Sequence, residues 1–547
     1  MAKLFTKAIL GRLTLFLALL LLMMMFVACG GGDLSEGDDD DDDFMSDDDD
    51  DDDYYDDDDD DNYYDDDDDD YYDDDSADDD SYGDDDDDDD DDDDTPEYEC
   101  PEDTSPTVLY LSADDSNSQA SPVVVRAIIN QGDVVPAGKV RTYEFTNYYQ
   151  INYAAPQFGR INIVPQLRER TETEFEQDYI FQIGAQSHAQ SNLERRPLNL
   201  VFSLDNSGSM YGAPIELLRD VCRAIAGRLR AGDIVSMVTW NHMQEIELES
   251  YEVTGPSDPV LLDVINGLDA DGSTDLHNGL VTAYALAAEN YSPDKMNRVV
   301  LISDGQANTG ITDIEIIAAA ADDSEAEGTY LVGVGVGEPT YYYNDLLMDD
   351  VTDAGKGAYV FIDSEAEAQK QFGDHFLENM EIAAMAVQVR LTMPYYLIMD
   401  EYHGEEYSPD PTEVEPQHLG PNDAMVFHQF LVACDAELFN TADLLKVEAL
   451  YTNPFTREEQ VDMTEMTIGE MLAAHAFQLR KGDAIVTFAE TLKQIYWLIP
   501  YEVEEAYALC QAAQIKVQAA AEELGDEELF EIADLLTRYL STVAMYK

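Results

Sequence analysis

From about Arg196 the chain alternates between two hydrophobic periods. Strand-length runs occur at Leu198–Leu204, Asp233–Trp240, Glu245–Glu249, Val299–Ile302, Tyr330–Val336 and Ala358–Ile362, and several are apolar at nearly every position. Between them, Ile215–Leu229, Leu276–Glu289, Asp313–Asp323, Tyr343–Asp353 and Glu365–Met380 repeat their apolar residues every three or four positions. That second period draws one apolar stripe along a helix. A strand that is apolar on both faces belongs in a parallel sheet covered by helices on each side. The alternation predicts an α/β domain with a doubly wound, mostly parallel, Rossmann-like sheet over residues 196–381.

The pattern changes around Ala383. Ala384–Met393, Ala424–Val432 and Leu445–Tyr451 read as long strands with no helix between them, and Asn453-Pro454 marks a turn after the last. Residues 382–465 are expected to form a small antiparallel β domain. Ile468–Leu479, Asp483–Trp497 and Glu502–Tyr546 carry helical periodicity, so residues 466–547 read as a helical region. Gly525 after Leu524 is a break between two of its helices. Ahead of the α/β domain, residues 96–195 are mixed. Thr107–Ser112 and Tyr179–Gly184 read as strands, Pro122–Asn130 and Lys139–Tyr149 as short helices.

Residues 1–28 have the form of an export signal. Lys3, Lys7 and Arg12 make a basic start, and Leu15–Val27 is apolar but short of the roughly 20 residues a membrane span needs. The run closes in Phe26-Val27-Ala28-Cys29-Gly30, which resembles a bacterial lipobox with Phe26 in place of the customary leucine. The resemblance implies cleavage before Cys29 and lipidation of its thiol; the plainer alternative is a secretory signal with an incidental cysteine. Residues 29–95 are a low-complexity tether of Asp runs broken by Tyr54-Tyr55, Tyr63-Tyr64 and Tyr71-Tyr72. With almost no aliphatic content it is expected to be disordered, and like charges extend it. It reads as a solvated spacer, or alternatively as a calcium or mineral-surface binder.

Charge narrows the function. The net charge is −92 over 547 residues, a length that suits about three or four domains. Removing the 42 aspartates between Asp38 and Asp94 still leaves 78 acidic against 28 basic residues. Such a surface repels nucleic acid and anionic headgroups and attracts cations and basic partners, which excludes nucleic-acid binding. Beyond Cys29, the cysteines Cys100, Cys222, Cys434 and Cys510 are widely spaced, with no CxxC and no zinc pattern. Cys222, in a helical pattern, and Cys434, in a strand pattern, read as buried small hydrophobes rather than disulfide partners.

The candidate chemistry lies where two strand-like runs end in aspartate. Leu198–Leu204 leads into Asp205-Asn206-Ser207-Gly208-Ser209, and Arg298–Ser303 leads into Asp304-Gly305. Between them lies the loop Gly272-Ser273-Thr274-Asp275-Leu276. Ligands of open α/β sheets bind beyond the carboxyl ends of strands where strand order reverses, so both aspartates belong on that edge. Pro214 suits the first turn of the next helix. Mg2+ takes about six oxygens near 2.0–2.1 Å and sheds water reluctantly. Two aspartates and three hydroxyls leave it open to an outside carboxylate.

This set resembles the metal-ion-dependent adhesion site of von Willebrand factor A domains. Asp205, Ser207 and Ser209 match its DxSxS motif, Thr274 its distal threonine and Asp304 its distal aspartate. The resemblance implies direct ligation by Ser207, Ser209 and Thr274, with Asp205 and Asp304 acting directly or through water. It implies Mg2+, with Ca2+ or Mn2+ as alternatives. Ser112–Tyr149 is similar to the segment preceding the A domain in a group of bacterial A-domain lipoproteins, which continue into a β domain and a helical tail. In that group Gly30 after the lipidated cysteine would favour the outer membrane or cell surface.

Enzyme readings find less support. The eight histidines show no HExxH, and His277 beside the threonine loop reads as a first-turn helix residue. Ser207 and Ser209 lack a G-x-S-x-G elbow. The glycines of Gly333-Val334-Gly335-Val336-Gly337 lie in a strand pattern and read as close packing rather than a phosphate cradle. The expectation is a non-enzymatic, lipid-anchored module of the bacterial envelope that binds an Asp or Glu of a protein partner through the metal, with no small-molecule cofactor. A structural or cation-sequestering protein is the alternative. A metal-assisted hydrolase would have the electrophile but no positioned base.

Overall fold

The computed structural model describes residues 98–114, 117–170, 178–306, 328–337 and 343–547. The signal, Cys29, the tether and the helix expected at Asp313–Asp323 lie outside these residues. Ahead of the α/β domain come β1 (Thr107–Ser112), β2 (Asn162–Glu169) and β3 (Asp178–Gln186). The domain itself contains β4 (Leu198–Asp205), β5 (Ile234–Trp240), β6 (Gln244–Glu252), β7 (Met296–Ser303), β8 (Tyr330–Val336) and β9 (Tyr359–Ile362). They form one sheet in the order β6-β5-β4-β7-β8-β9, parallel except for the edge strand β6. This is the doubly wound sheet the alternation predicts.

Alternate residues of β4 enter opposite cores, as pleating requires. Leu200 and Phe202 join the core beneath helices Ala213–Ala226 and Pro259–Gly267, whereas Val201 joins the core containing helix Leu276–Glu289. Each such fully buried side chain contributes roughly 1.5–3 kcal/mol. The glycines of β8 admit the neighbouring segment. A Cβ on Gly333 would lie 1.9 Å from Thr352 Oγ1, and one on Gly335 would lie 1.9 Å from the Tyr343 hydroxyl. The helix expected over Glu365–Met380 is segmented, with a π-helical turn at Lys370–Asp374 between Glu365–Gln369 and Phe376–Met380.

After the α/β domain come β10 (Ala384–Met393), β11 (Leu397–Tyr402), β12 (Glu406–Ser408), β13 (Gln417–Leu419), β14 (Ala424–Ala433), β15 (Leu444–Thr452) and β16 (Glu459–Thr467). Here the structure departs from the expected boundaries. The strands of residues 96–195 and 382–465 are not separate units. β1 pairs antiparallel with β10, in the order β12-β1-β10-β15-β16, and β3 pairs antiparallel with β14, in the order β11-β14-β3-β2. Leu111, Phe181, Leu391, Phe427 and Val447 share the core of these two sheets. The α/β domain is thus inserted between two halves of one β-sandwich. Buried Arg195 braces its start, 2.5 Å from Asp233, and Arg196 reaches Glu381 beyond its last helix, also at 2.5 Å.

Helices Phe477–Leu498, Val503–Leu524 and Glu527–Ala544 complete the chain. Gly525 adopts the left-handed conformation that ends the second, as the sequence suggests, and Asp526 caps the third. The single stretch expected at Ile468–Leu479 is broken after Ala473. These helices cover the earlier helices Ala120–Gln131 and Thr142–Tyr148. Phe145 packs edge-on to Phe488, and the Val135 N–H donates to the Tyr539 hydroxyl at 3.2 Å.

One cysteine expectation is overturned. Cys434 is bonded to Cys100, with 5.2 Å between Cα atoms, whereas Cys222 and Cys510 are buried free thiols. The pair is 334 residues apart in sequence. Only the docking of the N-terminal lead beside the end of β14 brings it together, so spacing could not reveal it. The bond closes a long loop, and Cys100→Ser should cost roughly 3–5 kcal/mol in denaturant unfolding. Reductant should cost the wild type the same amount and the variant nothing more. Equal unfolding midpoints for reduced and oxidised wild type would show that the crosslink does not stabilise the fold.

Candidate metal centre

Strand order reverses at β4, with β5 on one side and β7 on the other. β4 and β7 run parallel in register, Leu204 beside Ile302, so their carboxyl ends lie together. Asp205, the last residue of β4, is fully buried. Its Oδ1 accepts from the Ser207 N–H at 2.9 Å, and its Oδ2 accepts from the Ser303 hydroxyl at 2.7 Å. Ser303 ends β7, so one hydrogen bond ties the two strand ends together. In the sequence Ser303 is not among the expected site residues. Its only signal there is a lone polar residue closing an apolar run before Asp304.

Ser207 and Ser209 flank the start of a tight turn, Gly208–Met210, and their hydroxyl oxygens are 3.0 Å apart. The Gly208 N–H donates to the Gly272 carbonyl at 2.9 Å, which fastens this turn to the threonine loop. A Cβ on Gly208 would sit 3.0 Å from that same carbonyl oxygen. Gly272 has φ +87°, and a Cβ there would come within 2.7 Å of His242 Nδ1. Thr274 is buried just before Asp275, which caps helix Leu276–Glu289 by accepting from the Asn278 N–H at 3.3 Å. His277 occupies the first turn of that helix, as expected.

Asp304 follows β7 and is 4% exposed. Its Oδ1 accepts from the Gln306 N–H at 3.1 Å, and the Ser209 side chain is also hydrogen-bonded to it. Gly305 has φ +72°, and a Cβ there would meet the Asn344 carbonyl oxygen at 2.6 Å. Hydrogen bonds and repulsion therefore connect Asp205, Ser207, Ser209 and Asp304, with Thr274 on the loop fastened to them.

The electrostatics of this cluster are unfavourable as it stands. Burial, then repulsion from Asp304, pushes the Asp205 carboxyl up to about 7 against the opposing bonds from Ser303 and Ser207. Burial also raises Asp304. A divalent cation bound among these oxygens would relieve both penalties, so the donor set fits a hard metal ion. Among the described residues no group of three or more His, Cys, Asp or Glu side chains is placed to hold a metal. Here two carboxylates are supplemented by hydroxyls instead. A separate cavity of about 760 Å³ between the sandwich and the C-terminal helices is lined by Arg168, Arg170, His403, Glu490 and Lys516, and none of the five predicted residues lines it.

The von Willebrand factor type A domain family matches residues 199–375. The chain contains a von Willebrand factor type A domain, and the sheet and helices described above are its fold. YfbK of Escherichia coli strain K12 is 28% identical over 274 residues, 49% of this chain and 47% of that protein. Mouse inter-alpha-trypsin inhibitor heavy chain H2 is 25% identical over 205 residues, 35% of this chain and 22% of that protein. The chain thus spans less than half the length of these curated relatives. The structure of a von Willebrand factor type A protein from Catenulispora acidiphila aligns with a TM-score of 0.42 at 13% identity, covering 69% of this chain and 90% of that one.

The raised Asp205 carboxyl sets a pH signature. The metal-free folded state holds a proton that the unfolded chain releases, so this contribution to stability is complete below about 4 and is lost as pH rises through about 7. In EDTA, wild type should lose more melting temperature than Asp205→Asn between pH 5 and pH 8. Mg2+ should restore wild type at pH 8, have little effect at pH 5, and leave Asp205→Asn unmoved. A wild-type pH profile parallel to that of Asp205→Asn would contradict the assignment.

Proposed function

We propose that this chain is a divalent-cation-dependent protein-binding module. Asp205, Ser207, Ser209, Thr274 and Asp304 hold Mg2+, with Ca2+ or Mn2+ as alternatives, and a position left to water accepts an Asp or Glu of the partner. The observation that carries this reading is the pair of buried, mutually repelling carboxylates at adjacent strand ends, surrounded by hydroxyl oxygens. Two carboxylates balance the charge of a divalent ion, and hydroxyls donate weakly, so the ion remains electrophilic toward an outside carboxylate. The matched family and its placement in the chain support binding rather than catalysis.

The export signal and Cys29 support a further part of the reading: lipid anchoring in a bacterial envelope, with the outer membrane or cell surface as the site and the Asp-rich segment as spacer. Cys29 is the attachment this reading relies on; among the described residues no helix is long and apolar enough to cross a membrane.

Calorimetric titration with Mg2+ tests the centre. Asp205→Ala should abolish binding while circular dichroism keeps the wild-type fold. Ser303→Ala, which removes one of the two groups holding Asp205 and the acceptor of the Gly305 N–H, should weaken it by about 10- to 100-fold. Unaltered Mg2+ affinity in Asp205→Ala would place the ion elsewhere.

A further inference from the structure

The carboxyl edge of the sheet bears more than the five oxygen donors. Tyr211, directly after the serine turn, is 83% exposed, and Met243 in the β5–β6 turn is 65% exposed. Both sit on loops fastened to the centre. The Tyr211 N–H donates to the Gly208 carbonyl at 3.3 Å, and the Asn241 side chain accepts from the Met243 N–H at 3.1 Å. The Asn241 carbonyl in turn accepts from the Asp275 N–H at 2.9 Å, one residue beyond Thr274. An aromatic ring with a polar tip and a flexible thioether are adaptable contact groups, and both are presented to solvent.

Among the described residues the exposed charges around this edge are mostly acidic. The Asp269 side chain is 95% exposed, and Asp271, Glu245 and Glu216 are also exposed. Asp271 belongs to the centre's own loops, since its N–H donates to the Asn206 carbonyl at 2.7 Å. Glu245 lies opposite Thr239 near the end of β5. Arg219 is only 12% exposed and already engages Glu216, Asp269 and the Leu268 carbonyl. The exposed ring of His242 completes the described rim.

A divalent ion held by Asp205 and Asp304 makes a centre with no net charge. An approaching carboxylate therefore meets the rim's negative field before it meets the ion. Rim charges within a Debye length, about 8 Å at physiological salt, are not screened out. A carboxylate borne on an acidic segment is repelled, whereas one borne on a basic surface is attracted. We infer, resting on the metal-centre reading above, that the partner presents its Asp or Glu from a basic surface with an apolar contact for Tyr211 and Met243. Repulsion against the wrong ligand supplies specificity as directly as attraction to the right one.

Fluorescein-labelled synthetic peptides test this by anisotropy with the full chain in Mg2+. One carries a central Asp flanked by Lys and Leu, a second replaces Lys with Glu, and a third keeps Lys but replaces the Asp with Asn. The Lys-flanked Asp peptide should bind at least about tenfold more tightly than the other two. Its margin over the Glu-flanked peptide should shrink as salt rises. Glu245→Lys/Asp269→Lys/Asp271→Lys should invert the preference between the Lys- and Glu-flanked Asp peptides. Equal binding of these two by wild type, tighter binding of the Glu-flanked one, or no binding of the Lys-flanked one overturns the inference. So does equal binding of the Asn peptide, which would mean charge attraction alone. The Mg2+-dependent rise in melting temperature, lost in Asp205→Ala, is read on the same samples. It judges the metal centre independently of the rim.

Discussion

Two carboxylates that repel each other are held at the ends of neighbouring parallel strands, and the rest of the site is arranged to keep them there. Asp205 cannot move away because Ser303 and the Ser207 N–H both hold it. Asp304 is held by the Gln306 N–H and the Ser209 side chain. Those anchors in turn require the β4–β7 pairing, the glycine-lined turns and the capped helix that follows Thr274. The fold therefore keeps a local conflict between two acidic groups at its sheet edge.

The central sheet was readable from sequence because its strands are buried on both faces. A run such as Leu198–Leu204 leaves few alternatives when helices with one apolar stripe alternate with it. The sandwich was only half readable. β16 (Glu459–Thr467) is an edge strand that exposes Val461 and Met463 as well as Glu459 and Glu465, and β2 carries Pro165. Proline is tolerated there because β2 is also an edge, but in sequence it argues against a strand. Pairing across the inserted domain, β1 with β10 and β3 with β14, leaves no local trace, and neither does the Cys100–Cys434 bond.

The site residues were legible for a different reason. Asp205, Ser207 and Ser209 are close in sequence, and Thr274 and Asp304 each sit at a strand end or helix start that the periodicity already marks. What was not legible is the support around them. Ser303 reads as the last residue of a strand until its hydroxyl is seen on Asp205. Tyr211 and Met243 carry no pattern in the sequence; the turn hydrogen bonds tie them to the loops of the centre.

Insertion of the α/β domain has a mechanical consequence. The candidate site's loops occupy the carboxyl edge of the sheet, whereas β4 begins at the opposite edge and the last helix of the domain returns there. The two connections to the sandwich are joined by Arg196 and Glu381, 2.5 Å apart. Tension applied by a bound partner would therefore reach the sandwich along two covalent paths at once, one leading toward β3 and one toward β10. Each path ends in a strand that lies inside its sheet rather than on an edge. A load on the candidate site's loops would therefore be divided between an internal strand of each sandwich sheet instead of falling on one strand.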